Sequence, residues 1–215
     1  MKLRWKIAQA AEIRWWKQYL NKKDKDSYLV WKKNYWLDLL TELELQIPDA
    51  ASCLDAGCGP AGIFTLLKRQ KVLALDPLLA AYQQNLAHFD PKDYPYVQFK
   101  ALPLESFYSD QRFDYIFCLN AINHVSDLDA CWDRLFAVAH KDSRLLISID
   151  AHNYSLFKYL FRLLPGDILH PHQYDLKEYQ EMIEKRGGHI EFVLNKKKEF
   201  FFNYYVLSVV LNPKT

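Results

Sequence analysis

Cys53-Leu54-Asp55-Ala56-Gly57-Cys58-Gly59-Pro60-Ala61-Gly62 is the stretch that decides how this chain is read. Gly57, Gly59 and Gly62 stand in G-x-G-x-x-G spacing, and Asp55 precedes the first of them by two residues. Glycine has no Cβ, so such a turn can take backbone angles closed to other residues and lets a ligand touch the main chain. Ser52-Cys53-Leu54 reads as a strand. Ile63 to Arg69 reads as the opening of a helix near 61–70, with Pro60 suited to its entrance because the first N–H of a helix needs no partner. Strand, glycine turn and helix together are the setting in which this spacing signals a cofactor loop.

A second acid narrows the cofactor. Asp76 ends the apolar run Val72-Leu73-Ala74-Leu75, about 20 residues beyond the glycines, where an acid binds ribose hydroxyls. Pro77 then stops the strand. A dinucleotide such as NAD and S-adenosyl-L-methionine both fit so far. A dinucleotide would press its anionic pyrophosphate against the turn, and Asp55 would repel it. S-adenosyl-L-methionine has no phosphate and brings an ammonium and a sulfonium, which an acid beside the loop favours. Asp55 could instead cap the following helix or bond the loop backbone.

Working outward, short apolar runs alternate with helical patterns. The strands read as 51–56, 71–76, 96–101, 113–119 and 143–150, with helices near 61–70, 77–88 and 127–139. The alternation predicts an α/β fold: a Rossmann-like, doubly wound, mostly parallel sheet with helices on both faces, in three layers. Gly57, Asp76, Asn120 and Asp150 all end strands and fall on one rim, where such sheets bind ligands. Asp175 to Arg186 reads as a helix stopped by Gly187-Gly188. His189–Leu194 and Glu199–Leu211, separated by Asn195-Lys196-Lys197-Lys198, read as a C-terminal antiparallel hairpin.

These motifs resemble the class I S-adenosylmethionine-dependent methyltransferases. The likeness runs through CLDAGCGPAG at 53–62, VLALDP at 72–77, FDYIFCLNAINHVSD at 113–127 and RLLISID at 144–150. It implies that Asp55, Gly57, Cys58, Gly59, Asp76, Pro77, Leu104, Glu105 and Asn120 line the cofactor, with S-adenosyl-L-homocysteine as product. It also implies the terminal hairpin. Two features depart from the family. Lys141-Asp142-Ser143 replaces the glycine pair usual before the fifth strand. Asn120-Ala121-Ile122-Asn123 replaces the Pro-Pro-Tyr type of signature used on exocyclic amines, which argues against a nucleobase-amine acceptor.

The chain has 215 residues, half of them hydrophobic, and a formal net charge of +2. That suffices for one domain with a sizeable core plus an appendage. The charge is too small to imply a nucleic-acid partner by itself. No apolar run reaches the ~20 residues of a membrane span, and the N-terminus carries no signal-peptide pattern, so the cytoplasm is the expected compartment. The four cysteines, Cys53, Cys58, Cys118 and Cys131, fit no zinc spacing. Cys53 and Cys118 read as buried apolar groups. Cys58, in the loop, has no adjacent base to activate it.

Residues 1–47 read as a separate helical unit beside a methyltransferase domain at 48–215. Trp15/Tyr19, Trp16/Leu20 and Trp31/Tyr35/Leu39 repeat at helical spacing, and Asn21–Ser27 is a polar joint. The unit is basic and aromatic. It is expected to be a lid packed on the domain, with RNA binding or a docking surface as alternatives. Residues 151–174 read as an insertion on the acceptor side, including an amphipathic helix over 153–164.

Methyl transfer from a sulfonium is a direct displacement, so the protein mainly aligns the acceptor. His124, after the fourth strand, is the candidate base. His152, His170 and His172 are the candidate acceptor-binding residues, and no metal is expected. The expected function is methyl transfer to a small-molecule or glycan-type metabolite. An RNA methyltransferase, a non-catalytic methyltransferase-like subunit and a dinucleotide oxidoreductase are the competing readings. Acceptor atom and oligomeric state are not legible.

Overall fold

In the computed structural model, residues 2–153, 172 and 174–211 are described. Seven strands form one sheet: β1 (Ser52–Ala56), β2 (Lys71–Leu75), β3 (Val97–Lys100), β4 (Phe113–Cys118), β5 (Ala139–His152), β6 (Gly188–Lys198) and β7 (Phe202–Leu211). Their order is β3-β2-β1-β4-β5-β7-β6. β1 to β5 are parallel, and β7 runs antiparallel between β5 and β6. The chain winds one way from β1 to β3 and the other way from β4. The switch point therefore lies between the carboxyl ends of β1 and β4.

Alternation along the strands splits the core into two faces. Leu54, Ala56, Leu73 and Leu75 pack with Trp132 of α4 (Leu128–Ala137) and Tyr179 of α5 (Leu176–Lys185). Cys53, Val72 and Ala74 point to the other face. They pack with Tyr82 of α3 (Leu79–Asn85) and with Trp36, Leu39 and Leu40 of α2 (Lys25–Glu42). A sheet buried on both faces explains why these strands read as continuous apolar runs. α1 (Lys2–Leu20) crosses to α3. Asp24 caps α2 by accepting the Ser27 N–H, and Asp175 with Glu178 forms a reciprocal capping box on α5.

Three sequence expectations shift. The helix expected over 61–70 is replaced by two 3₁₀ turns, Gly59–Ala61 and Ile63–Thr65. Gly62 is extended between them, the Asp55 carboxylate takes the Phe64 N–H, and the Thr65 hydroxyl bonds the Gly62 carbonyl, so helical pairing cannot start. β5 begins at Ala139 rather than 143, with a bulge against β4. Asp142 adopts the left-handed backbone (φ 69) that a glycine would otherwise supply there. The hairpin turn falls after Lys198 instead of across 195–198. Asn153 Nδ2 clasps the carbonyls of Glu199 and Phe200, while Asn203 Oδ1 accepts the Glu199 N–H. The helix expected over 153–164 lies, beyond Asn153, outside the described residues, as does His170.

Candidate active site

The glycine turn is tied down from both sides of β1. The N–H groups of Gly57 and Cys58 both donate to Leu75 O at the end of β2 (2.8 and 3.1 Å). Gly57 has φ 72, and a Cβ there would stand 2.3 Å from Ala121 Cβ. The loop after β1 thus abuts the loop after β4. Gly59 has φ 57 but open space around it, with only Trp16 of α1 at 4.0 Å from an added Cβ. One glycine permits contact between two loops, and the other leaves a bare backbone facing a gap.

Two acids brace this turn from inside. Asp55, 2% exposed, accepts the Phe64 N–H at 3.0 Å, the loop-bonding role that the sequence allowed beside the electrostatic one. Asp76 sits one residue beyond β2 and accepts from Gly59 N (3.0 Å) and Leu78 N (2.8 Å). Burial raises both carboxyls to about 7; the Lys32 ammonium opposes the rise at Asp55, and the Glu12 carboxylate adds to it at Asp76. Glu12, on α1, accepts the Tyr82 hydroxyl proton at 2.8 Å.

Each raised carboxyl favours the folded state below its unfolded value of 3.8, and that stability is lost as the pH rises through about 7. Thermal melts of the ligand-free protein should therefore show a loss of stability between about pH 4 and 7 that is smaller in Asp76→Asn. An identical slope in the variant would remove Asp76 as a source.

The loop after β4 supplies the opposite wall. Asn120 takes φ 55, which asparagine tolerates, and its N–H donates to Ser148 Oγ at 2.6 Å. Leu104 is buried. Glu105 is engaged at the α4 entrance, where Oε1 accepts the Ser126 N–H (2.6 Å) and hydroxyl (2.9 Å). His124 lies in the 3₁₀ turn Ile122–His124, with an exposed side chain. His172 reaches the same turn, its Nε2 lying 2.7 Å from Val125 O; burial lowers its pKa and keeps the ring neutral. His152 is buried at the end of β5 against the Phe202 ring, at 4.4 Å between centroids. The structure thus brings His172 to within a residue of His124 and sets His152 under the hairpin.

The Cys58 thiol is pushed well above its usual range by burial and by the neighbouring acids, so it stays neutral. Among the described residues no three His, Cys, Asp or Glu side chains are grouped to hold a metal. No helix among them is long and apolar enough to cross a membrane.

Several residues at the site were not singled out in the sequence. Trp36 of α2 donates from Nε1 to Ala61 O (3.1 Å) and fixes the helix on the glycine turn. Lys32 precedes it on α2, beside Tyr35 of the aromatic stripe, and the hydroxyl of half-buried Tyr204 on β7 is enclosed next to Ser148 and Tyr35. The stripe of aromatics at helical spacing announced a packed helix. It carried no sign of which member would reach a loop 25 residues away.

Behind this turn no long helix offers a dipole to a pyrophosphate, and two carboxyls surround it. The switch-point cleft therefore suits a nucleoside cofactor that carries positive charge and no phosphate. The open backbone at Gly59 and the acid at the β2 terminus match the donor S-adenosyl-L-methionine. Residues 28–196 match a family described as a methyltransferase domain. A ubiquinone biosynthesis O-methyltransferase of Rhodopseudomonas palustris is 26% identical over 161 residues, covering 70% of this chain and 61% of that protein. The chain thus spans less than two thirds of the length of the curated relatives it matches.

Among solved structures, a TehB-like SAM-dependent methyltransferase of Corynebacterium glutamicum superposes with TM-score 0.60, at 17% identity, over 96% of this chain and 98% of its own. A 1,6-didemethyltoxoflavin-N1-methyltransferase of Burkholderia thailandensis, holding S-adenosylhomocysteine, gives 0.58 at 17% identity over 94% and 88%. The chain belongs to the class I S-adenosylmethionine-dependent methyltransferase family.

Proposed function

We propose that the protein transfers a methyl group from S-adenosyl-L-methionine to a hydroxyl group of a small organic molecule. The observation that carries this reading is the convergence of the bare Gly59 backbone, Asp76 and the Asn120 loop at the β1/β4 switch point. The curated relatives, which are O-methyltransferases, favour oxygen as the acceptor atom.

The donor, when bound, supplies an already activated methyl group, so the protein's task is alignment and exclusion of water. In this reading Asp76 receives the ribose hydroxyls, and Pro77 and Leu104 flank the adenine. Trp16 of α1 and Trp36 of α2, which already sit on the glycine turn, make the N-terminal helices a cover over the donor. The exposed imidazole of His124 accepts the acceptor's hydroxyl proton, and His172, on Val125 O, steadies the turn that carries it. His152 lines the acceptor side below the hairpin.

The test uses isotope-labelled S-adenosyl-L-methionine with catechol and simple phenols as probes. A methyl ether is the expected product. His124→Ala should slow its formation roughly 100-fold while leaving S-adenosyl-L-homocysteine affinity unchanged. Labelling of amines but of no phenol would overturn the oxygen assignment, and unchanged turnover would remove His124 as the base.

A further inference from the structure

β5 outruns β4. The parallel pairing of the two strands ends at Cys118 and Ile147, while β5 continues against β7 as far as His152. Among the described residues no strand pairs the β5 backbone at Asp150 on its β4 side. Backbone groups withdrawn from water need partners, and one side chain supplies both. The Asn123 amide donates from Nδ2 to Asp150 O and accepts the Asp150 N–H at Oδ1, each at 3.1 Å. It does there what a further peptide of β4 would do. Nδ2 also donates to the Tyr179 hydroxyl of α5 at 3.1 Å, so one amide ties two elements together.

Asn123 is the middle residue of the 3₁₀ turn Ile122–His124 and directly precedes the exposed His124. The residue after His124 is held as well, since His172 Nε2 lies 2.7 Å from Val125 O. The turn closes through the His124 N–H, which donates to Ala121 O at 3.0 Å. Ala121 in turn abuts Gly57, where an added Cβ would stand 2.3 Å from its own. His124 is thus presented from a backbone fixed on both sides, against β5, α5 and the glycine turn. Such placement matters to a direct displacement, because a shift of about 1 Å can cost about 100-fold in rate.

We propose that Asn123 is a positioning residue for methyl transfer: its amide locks the turn after β4 onto the end of β5 and so sets the His124 imidazole relative to the donor loop. At 5% exposed it is closed off from donor and acceptor. It acts through His124, and this role rests on the reading of that imidazole as the base. The residue type follows from the geometry. Only an amide side chain offers donor and acceptor on one planar group. Aspartate would keep an acceptor for the Asp150 N–H but have no donor for Asp150 O.

The experiment is steady-state methylation of catechol with labelled S-adenosyl-L-methionine. The variants are Asn123→Ala, Asn123→Asp, His124→Ala and the double variant Asn123→Ala/His124→Ala, each checked for folding by its thermal melt. Asn123→Asp keeps the shape of the side chain and serves if alanine does not fold. Either substitution at 123 should lower kcat about 10- to 100-fold. The KM for catechol and the affinity for S-adenosyl-L-homocysteine should stay within about threefold of wild type. In the double variant Asn123→Ala should cost no more than about twofold beyond His124→Ala, because it has nothing left to act through. Histidine-ring NMR reads the placement without turnover: the His124 resonances should move in Asn123→Asp. Losses that multiply in the double variant, unchanged kcat at position 123, a loss confined to KM, or unmoved His124 resonances would each overturn the proposal. Full turnover by His124→Ala, or no methylation of catechol by wild-type protein, would instead strike the reading on which it rests.

Discussion

Asp76→Ala should abolish most S-adenosyl-L-homocysteine binding, a loss on the order of 100-fold or more. A carboxylate that accepts two ribose hydroxyls contributes about 1.5–3 kcal/mol per bond, and 1.4 kcal/mol is a factor of ten. The same carboxylate already accepts the N–H groups of Gly59 and Leu78, so alanine also loosens the turn. Asp76→Asn separates the two effects, since it keeps an acceptor for one backbone N–H and removes the charge. Calorimetry should show strong loss in both variants, with a larger fall in thermal midpoint for alanine. Binding within about threefold of wild type in Asp76→Asn would mean that the acid is a brace for the loop and not a ribose ligand.

Gly57→Ala should be far more damaging than Gly59→Ala, the other left-handed glycine of the loop. Left-handed backbone costs an L-residue about 1–2 kcal/mol, and overpacking costs about 1–3 kcal/mol more. Both apply at Gly57, where φ is 72 and the new Cβ would meet Ala121 Cβ at 2.3 Å. Gly59→Ala meets only the backbone cost, because the nearest atom is 4.0 Å away. Denaturant melts should therefore rank Gly57→Ala well below Gly59→Ala in stability, and Ala121→Gly should rescue part of the Gly57→Ala loss. For binding, Gly59→Ala should do more harm than its stability cost suggests, since its methyl group points into the donor's space. Equal melting of the two variants would show that the β1 and β4 loops do not touch.

What the sequence made legible follows from what is local. Strand alternation, the glycine spacing, Asp76 at the end of its run and the Gly187 stop are all set by near neighbours, and each is found in place. The helix after the turn failed because its competitor was tertiary. The Asp55 side chain, nine residues back, takes the Phe64 N–H before a helical carbonyl can. The hairpin turn moved because Asn153, from another strand end, clasps Glu199 and Phe200.

The same division holds in the site. Asp55, Gly57, Gly59 and Asp76 announce themselves by spacing along one stretch. Glu12, Lys32, Trp36 and Tyr204 come from α1, α2 and the last strand, and only the packed fold brings them to the turn. The family resemblance alone places Glu105 on the cofactor; in the fold its carboxylate accepts from Ser126 at the α4 entrance, a partner that only the packed chain brings to it.

The central claim is that the loop at 53–62 selects a cationic, phosphate-free nucleoside. Calorimetric titration of wild-type protein with S-adenosyl-L-homocysteine and, separately, with NAD tests it most directly. The account predicts saturable S-adenosyl-L-homocysteine binding that Asp76→Ala removes, and no heat with NAD. Tight NAD binding with no response to S-adenosyl-L-homocysteine would contradict it.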